Sequence, residues 1–135
     1  MSYKIEEIEG IGPAYVAKLR SVGIDTVEDL LLAGASPKGS KELAEKTEIT
    51  PGHILTWVNH ADLFRIKGVA GQFAELLEAA GVDTVRELSH RNAANLHAAL
   101  TAKNEERPLT GRVPSLHEIE SMIAQAKELP PAVSY

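Results

Sequence analysis

Two short stretches of this 135-residue chain carry groups able to do chemistry without a reactive side chain: Gly10-Ile11-Gly12 and Gly68-Val69-Ala70. In each, small residues stand directly before an apolar pattern of helical spacing, so main-chain N–H groups at a helix start lie open to close approach. A helix start attracts anions, because its first amides have no intrahelical acceptor and the helix dipole is positive there. Basic side chains flank both stretches, Lys18 and Arg20 after the first, Arg65 and Lys67 before the second. These residues together make the candidate binding set. Other chemistries have little support. The chain has no cysteine, which removes disulfides, thiolate metal sites and a thiol nucleophile. His53 and His60, like His90 and His97, could share a helix face, but no His-x-x-x-His spacing accompanies them. Serine, histidine and aspartate occur without a nucleophile elbow. Glu6 and Glu7 are adjacent and diverge on a helix. We expect no catalytic residue, no metal, no cofactor and no enzymatic activity.

The elements that must position the two stretches are themselves a repeat. Residues 8–27 return as residues 66–85 without a gap, Gly12 matching Ala70, Gly23 matching Gly81 and Thr26 matching Thr84. An internal repeat constrains architecture before any other signal does. In the first copy, Gly12-Pro13 opens a helix whose apolar face is Tyr15, Val16, Leu19 and Val22. Gly23 stops it, and Thr26 caps the next helix with Asp29 as its capping-box partner. Val27, Leu30 and Leu31 form the following stripe, ending near Gly34. The second copy offers Gly81 as stop, Thr84 as cap and Glu87 as box residue.

The copies continue differently. Ser36 to Ser40 reads as a loop, Lys41 to Lys46 as a short helix, and Thr50-Pro51 opens a helix to about Leu63 with Ile54, Leu55, Val58 and Ala61 inward. Trp57 is expected in the core. After the second copy, Asn92 to Lys103 reads as a helix with Leu96, Ala99 and Leu100 inward, followed by a polar loop from Asn104 to Pro114. Ser115 and Glu118 make a capping box for a last helix through Leu129, with Leu116, Ile119, Met122, Ile123 and Ala126 inward. Trp57-Val58 and Met122-Ile123 look equivalent. No segment alternates at period two. The expected fold is all-α, a single compact domain over 1–135 with repeat units 5–63 and 64–129 and a tail at 130–135 behind Pro130-Pro131.

The segment from Ile8 through Gly10-Ile11-Gly12-Pro13 to Ala17 resembles the helix-hairpin-helix motif, Ala17 being the small packing residue. More widely, the chain resembles a bacterial tandem helix-hairpin-helix family catalogued as a domain of unknown function. The likeness runs from Ile8-Glu9-Gly10-Ile11-Gly12-Pro13, through Trp57-Val58-Asn59-His60-Ala61-Asp62-Leu63 and Gly81-Val82-Asp83-Thr84-Val85, to Val113-Pro114-Ser115-Leu116 and Leu129-Pro130-Pro131. The resemblance implies two helix-hairpin-helix units in pseudo-twofold arrangement. It also implies that hairpin amides hold phosphates of double-stranded DNA without reading sequence. The second copy departs from the motif, with Ala70 where the first has Gly12. If that position is left-handed, Ala70 is strained by roughly 1 kcal/mol.

Charge weighs against the DNA reading. The formal net charge is −5, whereas phosphate binders usually present a basic face. Residues 4–20 sum to zero, with Lys4, Lys18 and Arg20 against Glu6, Glu7 and Glu9. The second stretch is acidic, with Arg65 and Lys67 against Asp62, Glu75 and Glu78. The one locally positive region holds Arg86, Arg91, Lys103, Arg107 and Arg112 against Glu87, Glu105 and Glu106. Two readings therefore stand side by side: a nucleic-acid module, and a protein-interaction module in which the glycine turns are packing corners. Met1 to Lys4 leads into Ile5 with no apolar run like a signal peptide, and no stretch is long enough to span a membrane. A cytoplasmic protein with no membrane contact is expected, its oligomeric state open.

Overall fold

The computed structural model describes residues 3–134; readings made of Met1, Ser2 and Tyr135 lie outside them. The described residues form a 3₁₀ turn, Ile5–Glu7, and eight α-helices with no strand: α1 (Pro13–Ser21), α2 (Val27–Gly34), α3 (Pro37–Thr47), α4 (Pro51–Leu63), α5 (Gly71–Ala79), α6 (Val85–Ser89), α7 (Ala93–Glu106) and α8 (Leu116–Glu128). The all-α expectation holds. The chain divides into two compact units, Met1–Asp62 with Pro131–Tyr135, and Leu63–Pro130. In the first, α3 packs on α1 and α2; in the second, α8 packs on α6 and α7, and α5 on α7.

The repeated stops form as their residue types require. Gly23 and Gly81 take φ of 85° and 90°. Ile24 N–H donates to Leu19 O and Gly23 N–H to Arg20 O, both at 3.0 Å. Val82 and Gly81 do the same to Leu77 O at 2.8 Å and Glu78 O at 2.9 Å. This is the Schellman closure, in which the residue after the glycine also packs back on the helix. Ile24, Leu19, Val82 and Leu77 are accordingly all buried. A different glycine serves packing. A β-carbon on Gly34, at the end of α2, would lie 2.5 Å from Val58 Cγ2 on α4. Those two helices meet because that position is bare.

Several sequence expectations need correction. Residues Pro37 to Ser40 are helix, not loop, because Ser36 caps α3 by accepting from Gly39 N–H at 3.0 Å, with Pro37 at the first helical position. Helix α7 runs on to Glu106, and the Asn104 side chain organises the following loop by accepting from Leu109 and Thr110 N–H. Val22, Leu55 and Leu116 are exposed. Val22 is the C-cap of α1, Leu116 opens α8, and Leu55 lies outside the buried line of Ile54, Trp57, Val58 and Ala61. Ala17 is exposed rather than a packing residue. Glu87 does not complete a capping box: Thr84 Oγ1 accepts from Glu87 N–H at 3.2 Å, but the Glu87 carboxylate accepts from Arg91. Trp57 is in the core, 3 % exposed. The tail joins the first unit, where Ser134 N–H donates to Ala35 O at 2.8 Å and Val133 is buried.

Candidate functional site

The two glycine turns share one backbone. Gly10 and Gly68 adopt φ of 95° and 96°, a region a β-carbon disfavours. The position two residues on is not left-handed in either copy, with Gly12 at φ −83°, ψ 178° and Ala70 at φ −149°, ψ 175°. Ala70 is therefore unstrained. Within the turns, Ile11 N–H donates to Ile8 O at 3.3 Å and Val69 N–H to Ile66 O at 3.1 Å. Both side chains are buried. Those two amides hold the turn together, which moves the available donors into the helix starts that follow.

At those starts the two repeats differ from α2, α3, α6, α7 and α8. Neither Gly12 nor Ala70 supplies a side-chain cap. In α1 the first intrahelical bond is Val16 N–H to Gly12 O at 3.0 Å, so Ala14 and Tyr15 present first-turn amides without an intrahelical acceptor. In α5 the Phe73 amide already turns back to Ala70 O at 2.9 Å, which leaves Gly71, whose counterpart Pro13 has no N–H, and Gln72, the counterpart of Ala14. By contrast, Thr26, Ser36, Thr84, Asn92 and Ser115 each cap their helices through side chains. A β-carbon on Gly12 would meet nothing within 4 Å. Nothing in the fold requires a bare residue there.

What lies beneath the turns differs. A β-carbon on Gly10 would come 3.4 Å from Trp57 Nε1, and one on Gly68 would come 3.7 Å from Met122 Cε. This supports the equivalence of Trp57 and Met122. Beside the first turn, the exposed His53 ring stacks on Trp57 at 5.4 Å, and Tyr15 meets both edge-on, at 5.7 Å from His53 and 4.9 Å from Trp57. In the second unit the Tyr15 counterpart, Phe73, has the Arg112 guanidinium 5.4 Å above its ring. Arg112 donates in turn to both carboxylate oxygens of Glu118, at 2.6 and 2.9 Å. The Arg112 hydrogen bond and then Ser115 hold the Glu118 carboxyl at about 2, far below its ordinary value.

The basic candidates divide two and two. Lys18 and Lys67 are exposed. Arg20 donates through one nitrogen to both Glu6 oxygens at 3.0 Å and through Nε to Asp25 at 2.8 Å. The bond to Asp25, then that to Glu6, raises the guanidinium further above its ordinary value. Arg65 donates to Pro130 O at 2.5 Å. The Lys67 backbone exchanges hydrogen bonds with the Gln125 side-chain amide. The first turn, Lys18 and Arg20 thus belong to one unit, and Arg65, Lys67 and the second turn to the other.

Sequence reasoning missed a surface groove of about 500 Å³ lined by Glu6, Ile11, Pro13, Val16, Ala17 and Arg20. An apolar residue on the open side of the helix, Ala17, was its one sequence signal. His53 and His60 lie two turns apart along one side of α4, His53 exposed near its start and His60 buried near its end. His90 and His97 fall on either side of the break between α6 and α7. Among the described residues no group of three or more His, Cys, Asp or Glu is placed to hold a metal, and no helix is long and apolar enough to cross a membrane.

Residues 9–129 match the family described as domain of unknown function DUF4332, and the chain belongs to it. No curated protein and no solved structure matches the chain.

Proposed function

We propose that the chain is a non-enzymatic helix-hairpin-helix module that binds double-stranded nucleic acid without sequence specificity. One observation carries the reading. The two helices that follow the glycine turns start without a side-chain cap, while α2, α3, α6, α7 and α8 are all capped by a side chain. Uncapped first-turn amides at the positive end of a helix suit a phosphate oxygen. The duplication supplies two such starts, one in each unit. Gly12, Ala14 and Tyr15 form the stronger site, and Ala70, Gly71 and Gln72 the weaker one, with Lys18 and Lys67 as the accessible cations. Contacts of this kind go to the phosphodiester backbone and leave the bases unread.

A second reading, a protein-docking module, draws on the apolar groove beside α1 and on the net charge of −5. The same experiment separates the two. Fluorescence anisotropy of a labelled duplex of about 25 base pairs is measured at about 50 and about 200 mM salt, where phosphate contacts weaken steeply. The nucleic-acid reading expects micromolar binding at low salt that falls with salt. Gly12→Glu should abolish it with helicity unchanged, since the space at Gly12 is open; Ala70→Glu should weaken it less. Binding that survives both substitutions sinks the hairpin mechanism. No binding at low salt retires nucleic acid in favour of a protein partner.

A further inference from the structure

We infer that the first hairpin carries an intramolecular acid latch: Glu6 and Asp25 occupy Arg20 and must release it before Arg20 can meet a nucleic-acid phosphate. The inference rests on the nucleic-acid reading above and concerns how that site is regulated.

Three observations converge on it. Arg20 spends two of its nitrogens on carboxylates, taking both oxygens of Glu6 and one of Asp25. A second cation, Lys4, stands 3.9 Å from the other Asp25 oxygen, so the pair is part of a four-membered ionic cluster. Second, the partners stay in solvent, with Arg20, Glu6 and Asp25 side chains 42, 43 and 51 % exposed. Exposed pairs of this kind hold weakly and yield to competing anions. Third, Arg20, Glu6 and Pro13 border the same groove. Pro13 marks the uncapped start of α1, and seven residues of helix put Arg20 about 10 Å further along the axis. A duplex strand carries one phosphate about every 3.4 Å of axis, so Arg20 would address a different phosphate of the backbone from the one held at the helix start, up to about three steps away.

The second unit has no such latch. The positions matching Glu6 and Arg20 are Phe64 and Glu78, a buried aromatic and an acid. Release of Arg20 would therefore raise the affinity of the first hairpin alone. The acidic residues around the first turn then have a role in the function instead of merely opposing it.

The test is duplex anisotropy across a salt series on the full chain. The variants are Glu6→Gln/Asp25→Asn, Glu6→Gln alone, Arg20→Gln, and Arg20→Gln added to the double variant. Glu9→Gln/Glu45→Gln removes the same charge from exposed acids outside the cluster. The latch predicts that Glu6→Gln/Asp25→Asn binds several-fold tighter at low salt than the charge-matched control. Its salt slope should steepen by about 0.9, or three- to four-fold extra loss between about 50 and 200 mM. Adding Arg20→Gln should cancel the gain, while Arg20→Gln in the wild type should cost less than it does in the double variant. Glu6→Gln alone should give a smaller gain in the same direction, which guards against a folding defect from Asp25→Asn. An effect equal to the control, or equal loss from Arg20→Gln in both backgrounds, overturns the latch and leaves the hairpin reading standing. Absence of binding by every variant overturns both.

Discussion

The two glycine turns are the same backbone set in different chemistry. Gly10 and Gly68 agree in φ to a degree, and each turn is closed by the same amide-to-carbonyl bonds. Above the first lie Tyr15 and His53 on Trp57; above the second, Phe73 under Arg112, which is held by Glu118. Arg20 is tied to carboxylates in the first unit, whereas Arg91 in the second reaches Glu87 and the Gly81 carbonyl. The shared part consists of bonds spanning three to five residues, which any sequence with glycine and apolar residues at the right places will form. The divergent part consists of side chains that touch across elements. Duplication preserved the former and left the latter free to specialise.

The largest break in this comparison should come from the residues under the turns. Trp57→Ala is expected to cost about 3–5 kcal/mol and Met122→Ala about 2–3, measured by chemical denaturation. Equal costs would mean that the aromatic cluster adds nothing to the first turn. The next effect is local. Gly10→Ala should cost about 1–2 kcal/mol through its positive φ, and more than Gly68→Ala, because Trp57 is stiffer than the Met122 terminus it is compared with. Gly12→Ala should cost only about 0.5 kcal/mol, the ordinary loss from glycine to alanine at an N-cap, since a β-carbon there meets nothing. A Gly12→Ala cost matching that of Gly10→Ala would show Gly12 to be a packing corner after all.

The smallest effect sharpens the contrast through pH. Glu118 is held at about 2 against an ordinary 4.5. A depressed carboxyl contributes stability that is fully present above the ordinary value and is lost as pH falls toward the folded one. Between about pH 4.5 and 2, wild type should therefore lose more stability than Glu118→Gln, read from denaturation midpoints at pH 5 and 2.5. Glu6 and Asp29 in the first unit are also lowered and contribute the same sign in both proteins, so the difference isolates the second unit. Identical losses in wild type and Glu118→Gln would show that the Arg112–Glu118 pair contributes nothing.

Much of the site's frame was legible from the chain. Gly23 and Gly81 announced helix stops, and Thr26, Thr84 and Ser115 announced caps, because each acts on amides two to five residues away. Reading Ser36-Pro37 as loop failed although it uses the same device; Gly39 and Ser40 masked a helix start that Ser36 had already capped. The Ile11 and Val69 amides were misjudged as open, since their acceptors come from the preceding 3₁₀-like turns. Arg20 and Arg65 looked available because sequence shows a charge but not its partner. Glu6 stands fourteen residues from Arg20, and Pro130 sixty-five from Arg65.

The sequence by itself determined the repeat, the all-helical class, the positions of the breaks and most of the caps. Each depends on interactions within about one helical turn, whose geometry residue type nearly dictates. Only the tertiary structure decided that Trp57 and Met122 floor the turns, that Gly34 lets α2 meet α4, and that Arg20 pairs with Glu6 and Asp25 while Lys18 is exposed. Those outcomes depend on which distant side chains the packed helices bring within contact distance, and that information exists only once the chain has folded.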